Sequence, residues 1–226
     1  MPPDTRPELR LALAMRGGVS LAVWIGGAVA EIDLARRASP DVRDGAAPGQ
    51  AFWKDLLALS GYRSVTVDVL AGASAGGLNG VLYAASQVYD FDYDAMRAVW
   101  LDVGDTQRLV RSRDSWFLPS MFRGDGFFAP QVEKALRERI PDRPDGERPP
   151  GPRVQLDLAA TSLEPISRPV PSPSDEQLRD RRHASGFRFR NPEERWLTSS
   201  FHPRKAETRA PALWRLAVAA RATSAF

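Results

Sequence analysis

Two hydrophobic rhythms run along the chain, and the switches between them mark its elements. Leu9 to Met15 (LRLALAM) is a short apolar run with the length of a buried strand. Gly17-Gly18 breaks it, and helix-like sequence follows to about Arg37. Ser39 to Gln50 is loop in composition. Phe52, Leu56, Leu57 and Leu59 give helical spacing up to Ser60, and Val65 to Leu70 is a β-branched strand. That strand runs straight into Gly72-Ala73-Ser74-Ala75-Gly76-Gly77, after which Leu78, Val81, Leu82 and Ala85 share one side of a helix. The unit of strand, tight turn and helix therefore occurs twice.

Further along, Tyr93 to Val103 and Pro130 to Ile140 read as amphipathic helices, with Pro130 suited to a first helical position. Between them lies an Arg- and aromatic-rich connector, Arg108 to Phe128. Pro141 to Pro152 is a Pro-rich loop, and Val154 to Ala160 is a third strand. Glu164 to Ser185, with PVPSPS and a charge run RDRR at 179–182, is predicted to be a solvated insertion. Phe187 to Leu197 suits an edge hairpin element, and Leu213, Leu216, Ala217 and Ala220 place a last helix over 211–221. Residues 1–8 form a polar tail and 9–226 one domain without internal repeats. Strands alternating with helices predict an α/β fold with a mostly parallel sheet covered on both faces. Ligands of such sheets sit at the carboxyl ends of the strands, where both glycine turns fall.

Composition narrows the chemistry. With no cysteine the chain has no disulfide, thiolate metal site or cysteine nucleophile, and two histidines, His183 and His202, argue against a histidine-rich metal centre. No metal and no cofactor are expected. The balance of 31 Lys+Arg against 28 Asp+Glu lacks the excess of a nucleic-acid binder. The most apolar stretch, Val19 to Ala30, ends against Glu31 and Asp33, short of the roughly 18–20 residues of a membrane span. Arg6, Arg10 and Arg16 before it, with Ala28-Val29-Ala30, imitate a secretory signal, but Asp4 and Glu8 do not suit its charged start and Arg16 splits the apolar run. A cytoplasmic, folded segment is expected.

Gly72-Ala73-Ser74-Ala75-Gly76 matches G-x-S-x-G, in which a serine sits on a strained strand-to-helix turn above the sheet. The flanking strand and helix are the context this motif needs. An oxyanion beside Ser74 would meet the Ala75 N–H and the positive end of the following helix. The other turn, Gly17-Gly18-Val19, either lets a helix pack closely or offers further N–H donors to the same oxyanion. Nucleotide binding fits neither turn, since G-x-G-x-x-G register and a P-loop lysine are both absent.

The blocks LALAMRGGVSLAVWIGGAVAEI, DVLAGASAGGLNGVLYAAS, LDLAATSLE and RLAVAARATSAF resemble the patatin-like phospholipase family over nearly the whole chain. GASAGGLNG is the most specific, because Gly77 and Asn79 extend the match beyond the serine. The resemblance implies a three-layer α/β/α fold and a Ser–Asp dyad that hydrolyses lipid acyl esters without a metal, with Ser74 as nucleophile. Two departures stand out. The family's G-G-G-x-R-G loop has Val19 in place of its third glycine and Leu21-Ala22 at its arginine; Arg16 could supply charge from the other side. The family's basic aspartate follows the RATSAF-like block, and the chain stops at Phe226, so the expectation is a fragment of a longer hydrolase whose base lies outside it. Asp125-Gly126 precedes the third strand, out of order, and reads as a turn.

Two alternatives stay open. A Ser-Asp-His triad could use Ser74, Asp157 and either His202 or His183, in that chain order. A non-catalytic patatin-like module could bind lipid or protein without turnover. The expected partner is a lipid or acyl ester, with peripheral membrane contact as an option. Trp116-Phe117-Leu118, Met121-Phe122 and Phe127-Phe128, beside Arg108, Arg111 and Arg113, could form an interfacial lid or merely cover the sheet.

Overall fold

The computed structural model describes residues 4–39, 49–94, 97–111, 120–140, 152–171, 179–192, 200–201 and 209–224. Strand β1 (Glu8–Met15) leads into helix α1 (Val19–Arg37), then α2 (Gln50–Ser60) and strand β2 (Ser64–Gly72). Helix α3 (Ala75–Tyr89) follows, then the short helices α4 (Arg97–Val103) and α5 (Thr106–Leu109), a π-helical turn over Gly124–Phe128, and α6 (Ala129–Arg139). Strands β3 (Val154–Pro169) and β4 (Arg179–Asn191) and helix α7 (Arg209–Ser224) complete the order.

The four strands form one sheet in the order β1-β2-β3-β4, with β1–β2 and β2–β3 parallel and β3–β4 antiparallel. This is the expected α/β class with a mostly parallel sheet. Helix α3 packs against both α1 and α7 and contacts all three parallel strands, and α6 packs on α7. They cover Met15, Val67, Leu70, Leu156 and Leu158. Across the sheet, Ala12 and Ala14 are exposed and Val69 is 38% exposed. Ion pairs Arg10–Asp68 and Arg188–Asp157 bridge adjacent strands. Among the described residues the main helix contacts with the sheet come from α1, α3 and α7.

Other expectations need correction. The described parts of the predicted insertion, 164–171 and 179–185, are largely exposed, but Glu164–Pro169 and Arg179–Ser185 are strand, the outer part of the β3–β4 ribbon. With no face buried, this part carries no period-two hydrophobic signal. In the connector, Phe127 and Phe128 belong to the core, and the Arg108 guanidinium stacks 4.8 Å from the Phe127 ring centre. They are unavailable to a lid; Arg113, Trp116, Phe117 and Leu118 lie outside the described residues. Asp125-Gly126 lies inside the π-helical turn that Gly124 opens, not in a simple reversal.

Helix α3 is buried along nearly its whole length and is the hub of the core. Its Asn79, fully buried, donates to the Ala22 carbonyl of α1 at 3.0 Å and accepts from the Tyr93 hydroxyl and the Trp100 indole, both at 2.9 Å. One side chain thus ties α1, α3 and α4 together. Asn79→Leu strands one carbonyl and two donors, and a buried unsatisfied group costs about 1–3 kcal/mol. Urea denaturation should show a loss of about 2–4 kcal/mol.

Candidate active site

Ser74 caps the N-terminus of α3 with φ 54° and ψ −127°. Positive φ in a non-glycine residue costs on the order of 1–3 kcal/mol, so the surroundings must impose it. The sequence shows how. A Cβ at Gly72 would come within 2.6 Å of the Gly76 carbonyl oxygen, and one at Gly76 would overlap the Met15 carbonyl at the end of β1. Glycines at these two positions let the chain reverse within a few residues, and the reversal lifts Ser74 out of the line of the strand. The Ala73 N–H donates to Met15 O at 3.2 Å, holding the turn against β1.

The loop after β1 completes the site. A Cβ on Gly17 would be 2.6 Å from Ser74 Cβ and 3.3 Å from Ser74 Oγ, so this loop lies directly against the serine. Helix α1 begins at Val19, two residues on, and α3 begins at Ala75. Two helix N-termini therefore converge on one hydroxyl, each carrying partial positive charge and free N–H groups. The N–H groups of Gly17, Gly18 and Ala75 meet no acceptor among the described residues. Gly18 has φ 141° and lies under the Leu21 side chain. Arg16 is exposed.

Thr223, at the end of α7, was given no role by the sequence reading. The Ser74 N–H donates to its carbonyl at 3.0 Å and lies 3.2 Å from its hydroxyl, which itself donates to Ala159 O of β3 at 2.6 Å. Its side chain also covers Gly77, where a Cβ would be 2.7 Å from Thr223 Oγ1. The RATSAF resemblance was the available signal, but the use of Thr223 depends on a contact 149 residues apart.

The alternative triad does not assemble among the described residues. Asp157 sits on β3 opposite Ala71, and its carboxylate accepts from Arg188 and, at 2.6 Å, from Gln155. Partial burial raises its pKa, but those hydrogen bonds outweigh it and hold the group below the usual carboxylate range. His183 is exposed on the outer ribbon, its Nδ1 2.9 Å from Ser162 O, and His202 lies outside the described residues. Asp125 is held by Arg221 at 3.3 Å. No described side chain hydrogen-bonds the Ser74 hydroxyl, and no described group of acidic or histidine side chains could hold a metal ion.

A family model described as Patatin-like phospholipase matches residues 13–226. The uncharacterized membrane protein Rv3479 of Mycobacterium tuberculosis is 36% identical over 155 residues, which make up 63% of this chain and 14% of that protein. The chain thus spans a small part of that relative. No solved structure matches it. No helix among the described residues is long and apolar enough to cross a membrane.

These contacts predict an ordered set of glycine effects. Gly76→Ala drives a methyl into the Met15 carbonyl and should lower stability by about 3 kcal/mol or more. Gly126→Ala, whose Cβ meets nothing within 4 Å, should change it by less than about 1 kcal/mol. Urea midpoints of the two variants, compared at constant m, check the contrast. Thr223→Val keeps the shape but removes the donor to Ala159, and should cost about 1–3 kcal/mol in the same assay.

Proposed function

The chain belongs to the patatin-like phospholipase family, and on that premise we propose that it is a serine acyl hydrolase acting on lipid acyl esters, with Ser74 as nucleophile. The observation that carries the reading is the convergence of α1 and α3 on Ser74, with Gly17 against its side chain. Ser74 Oγ attacks the ester carbonyl and gives its proton to a base. The carbonyl oxygen becomes an oxyanion held by N–H groups of Ala75 and the Gly17–Val19 loop, each good donor being worth about 10²–10³ in rate. The alcohol leaves with the proton, and water attacks the acyl-enzyme to release the fatty acid. The base in this reading is the aspartate of a Ser–Asp dyad, set by the family resemblance after the RATSAF block. The donors are main-chain groups, so the arginine replaced by Leu21 is not needed for them. Peripheral contact with a membrane surface fits a lipid substrate.

A non-catalytic lipid- or protein-binding module is the second reading, favoured by Leu21 at the arginine position. A fluorophosphonate probe separates the two. The expected result is an adduct mapped to Ser74, lost in Ser74→Ala and kept in His183→Ala and His202→Ala. The probe is applied to protein extended past the RATSAF block to include that aspartate; such a folded protein that takes up no probe overturns the hydrolase reading, and loss of labelling in a histidine variant would restore the triad.

A further inference from the structure

The β3–β4 ribbon does not end where the sheet does. Leu158 lies opposite both Gly72 of β2 and Phe187 of β4, and beyond that level β3 runs on to Pro169 paired with β4 alone among the described strands. Arg181, six residues past Phe187, is about 20 Å further along at about 3.3 Å per residue. The ribbon leaves the sheet at its carboxyl end, where Ser74 sits. Its root is tied to the serine, since Ala159 O accepts from the Thr223 hydroxyl and Thr223 O from the Ser74 N–H. Two strands by themselves are marginal in water. Here no residue from Thr161 to Pro169 or from Arg179 to Gly186 is buried, and large apolar side chains stand in solvent, Leu163 at 97% exposure and Ile166 at 54%.

Charge on this ribbon is sorted by face. Residues directly opposite across an antiparallel pair share a face, as do alternate residues along a strand. Arg179, opposite Pro169, Arg181, opposite Ser167, and His183 therefore form a column of basic side chains, on the side of β4 that carries the core rings of Phe187 and Phe189. The other side sets Ile166 across from Arg182 and Arg168 across from Asp180. Arg182 pairs with Asp180 and Arg179 donates to Ser167 Oγ at 3.0 Å, whereas Arg168 and Arg181 have no acidic partner among the described residues. Asp175 and Glu176 fall between the strands, outside the described residues, so the basic column belongs to the paired stretch. Arginines beside exposed leucine and isoleucine suit a surface that is anionic outside and apolar just beneath, which describes a bilayer with acidic headgroups. Nucleic acid would satisfy the arginines and leave Leu163 and Ile166 in water. We infer that this ribbon is a docking arm for an anionic lipid surface, presenting the serine end of the sheet to it; that the same surface supplies the substrate rests on the hydrolase reading.

Flotation with lipid vesicles tests the arm without turnover. The full chain and its Ser74→Ala variant should float with phosphatidylcholine vesicles containing one quarter phosphatidylglycerol and stay behind with phosphatidylcholine alone. Each arginine close to an acidic leaflet contributes about fivefold in binding. The double variant Arg179→Ser/Arg181→Ser should therefore bind at least fivefold more weakly, while Arg179→Lys/Arg181→Lys, which keeps the charge, binds like the wild type. Leu163→Asp should weaken binding by a similar factor. Arg6→Ser/Arg137→Ser, which removes two exposed arginines elsewhere, is the control and should match the wild type. High salt should release the protein, because screening shortens the reach of surface charge. Equal binding by ribbon and control variants, equal binding to both vesicle types, or no binding by the wild type overturns the inference. So does tighter binding of double-stranded DNA than of vesicles, or a light-scattering dimer that Leu163→Asp dissolves, which would assign the arm to a second copy of the chain. Because flotation reads no reaction, a failure to label Ser74 sinks the hydrolase reading alone.

Discussion

The end of β1 and the first turn of α3 meet with no space for a side chain between them. A methyl at Gly76 would overlap the Met15 carbonyl, and one at Gly72 would strike the Gly76 carbonyl. Everything else about the site follows from that approach. It forces the chain to reverse within the Gly72–Gly76 turn, which leaves Ser74 at positive φ with its hydroxyl raised above the sheet. It also fixes where the β1 loop emerges, so that Gly17 touches the serine and the N-terminus of α1 points at the same place as that of α3. The strain at one residue is held by packing distributed over three elements.

Two polar side chains keep this arrangement rigid from opposite sides. Thr223 closes the site from α7, joining the Ser74 N–H to the β3 carbonyl of Ala159. Asn79 works from beneath, joining α3 to α1 and α4 through three hydrogen bonds. Because Asn79 accepts from both Tyr93 and Trp100, it also fixes these two aromatic residues against α3.

The sheet has an unequal pair of faces. Helices α1, α3 and α7 contact the sheet, and Val67, Leu70 and Leu156 are buried completely. The other side among the described residues carries small and charged positions such as Ala12, Ala14 and the Arg10–Asp68 pair. Helix α2 shows a similar mismatch of pattern and burial, since Phe52, Leu56 and Leu59 follow helical spacing yet are exposed.

What the amino-acid sequence determined by itself was local: β1, the serine turn, α3 and α7 were legible because hydrophobic period and glycine placement depend on residues close in the chain. The serine and its glycines could be named for the same reason. The extension of β3 and β4 beyond Ala160 was not legible, because an exposed ribbon leaves no burial pattern to read. Likewise Phe127 and Phe128 fit a lid or a core equally until the turn at Gly124–Phe128 set their direction. Only the tertiary structure decided that Thr223 supports Ser74 and that Asp157 belongs to Arg188. Each of these depends on which distant segments come within hydrogen-bonding or van der Waals reach, a property of the packed chain that no local window contains.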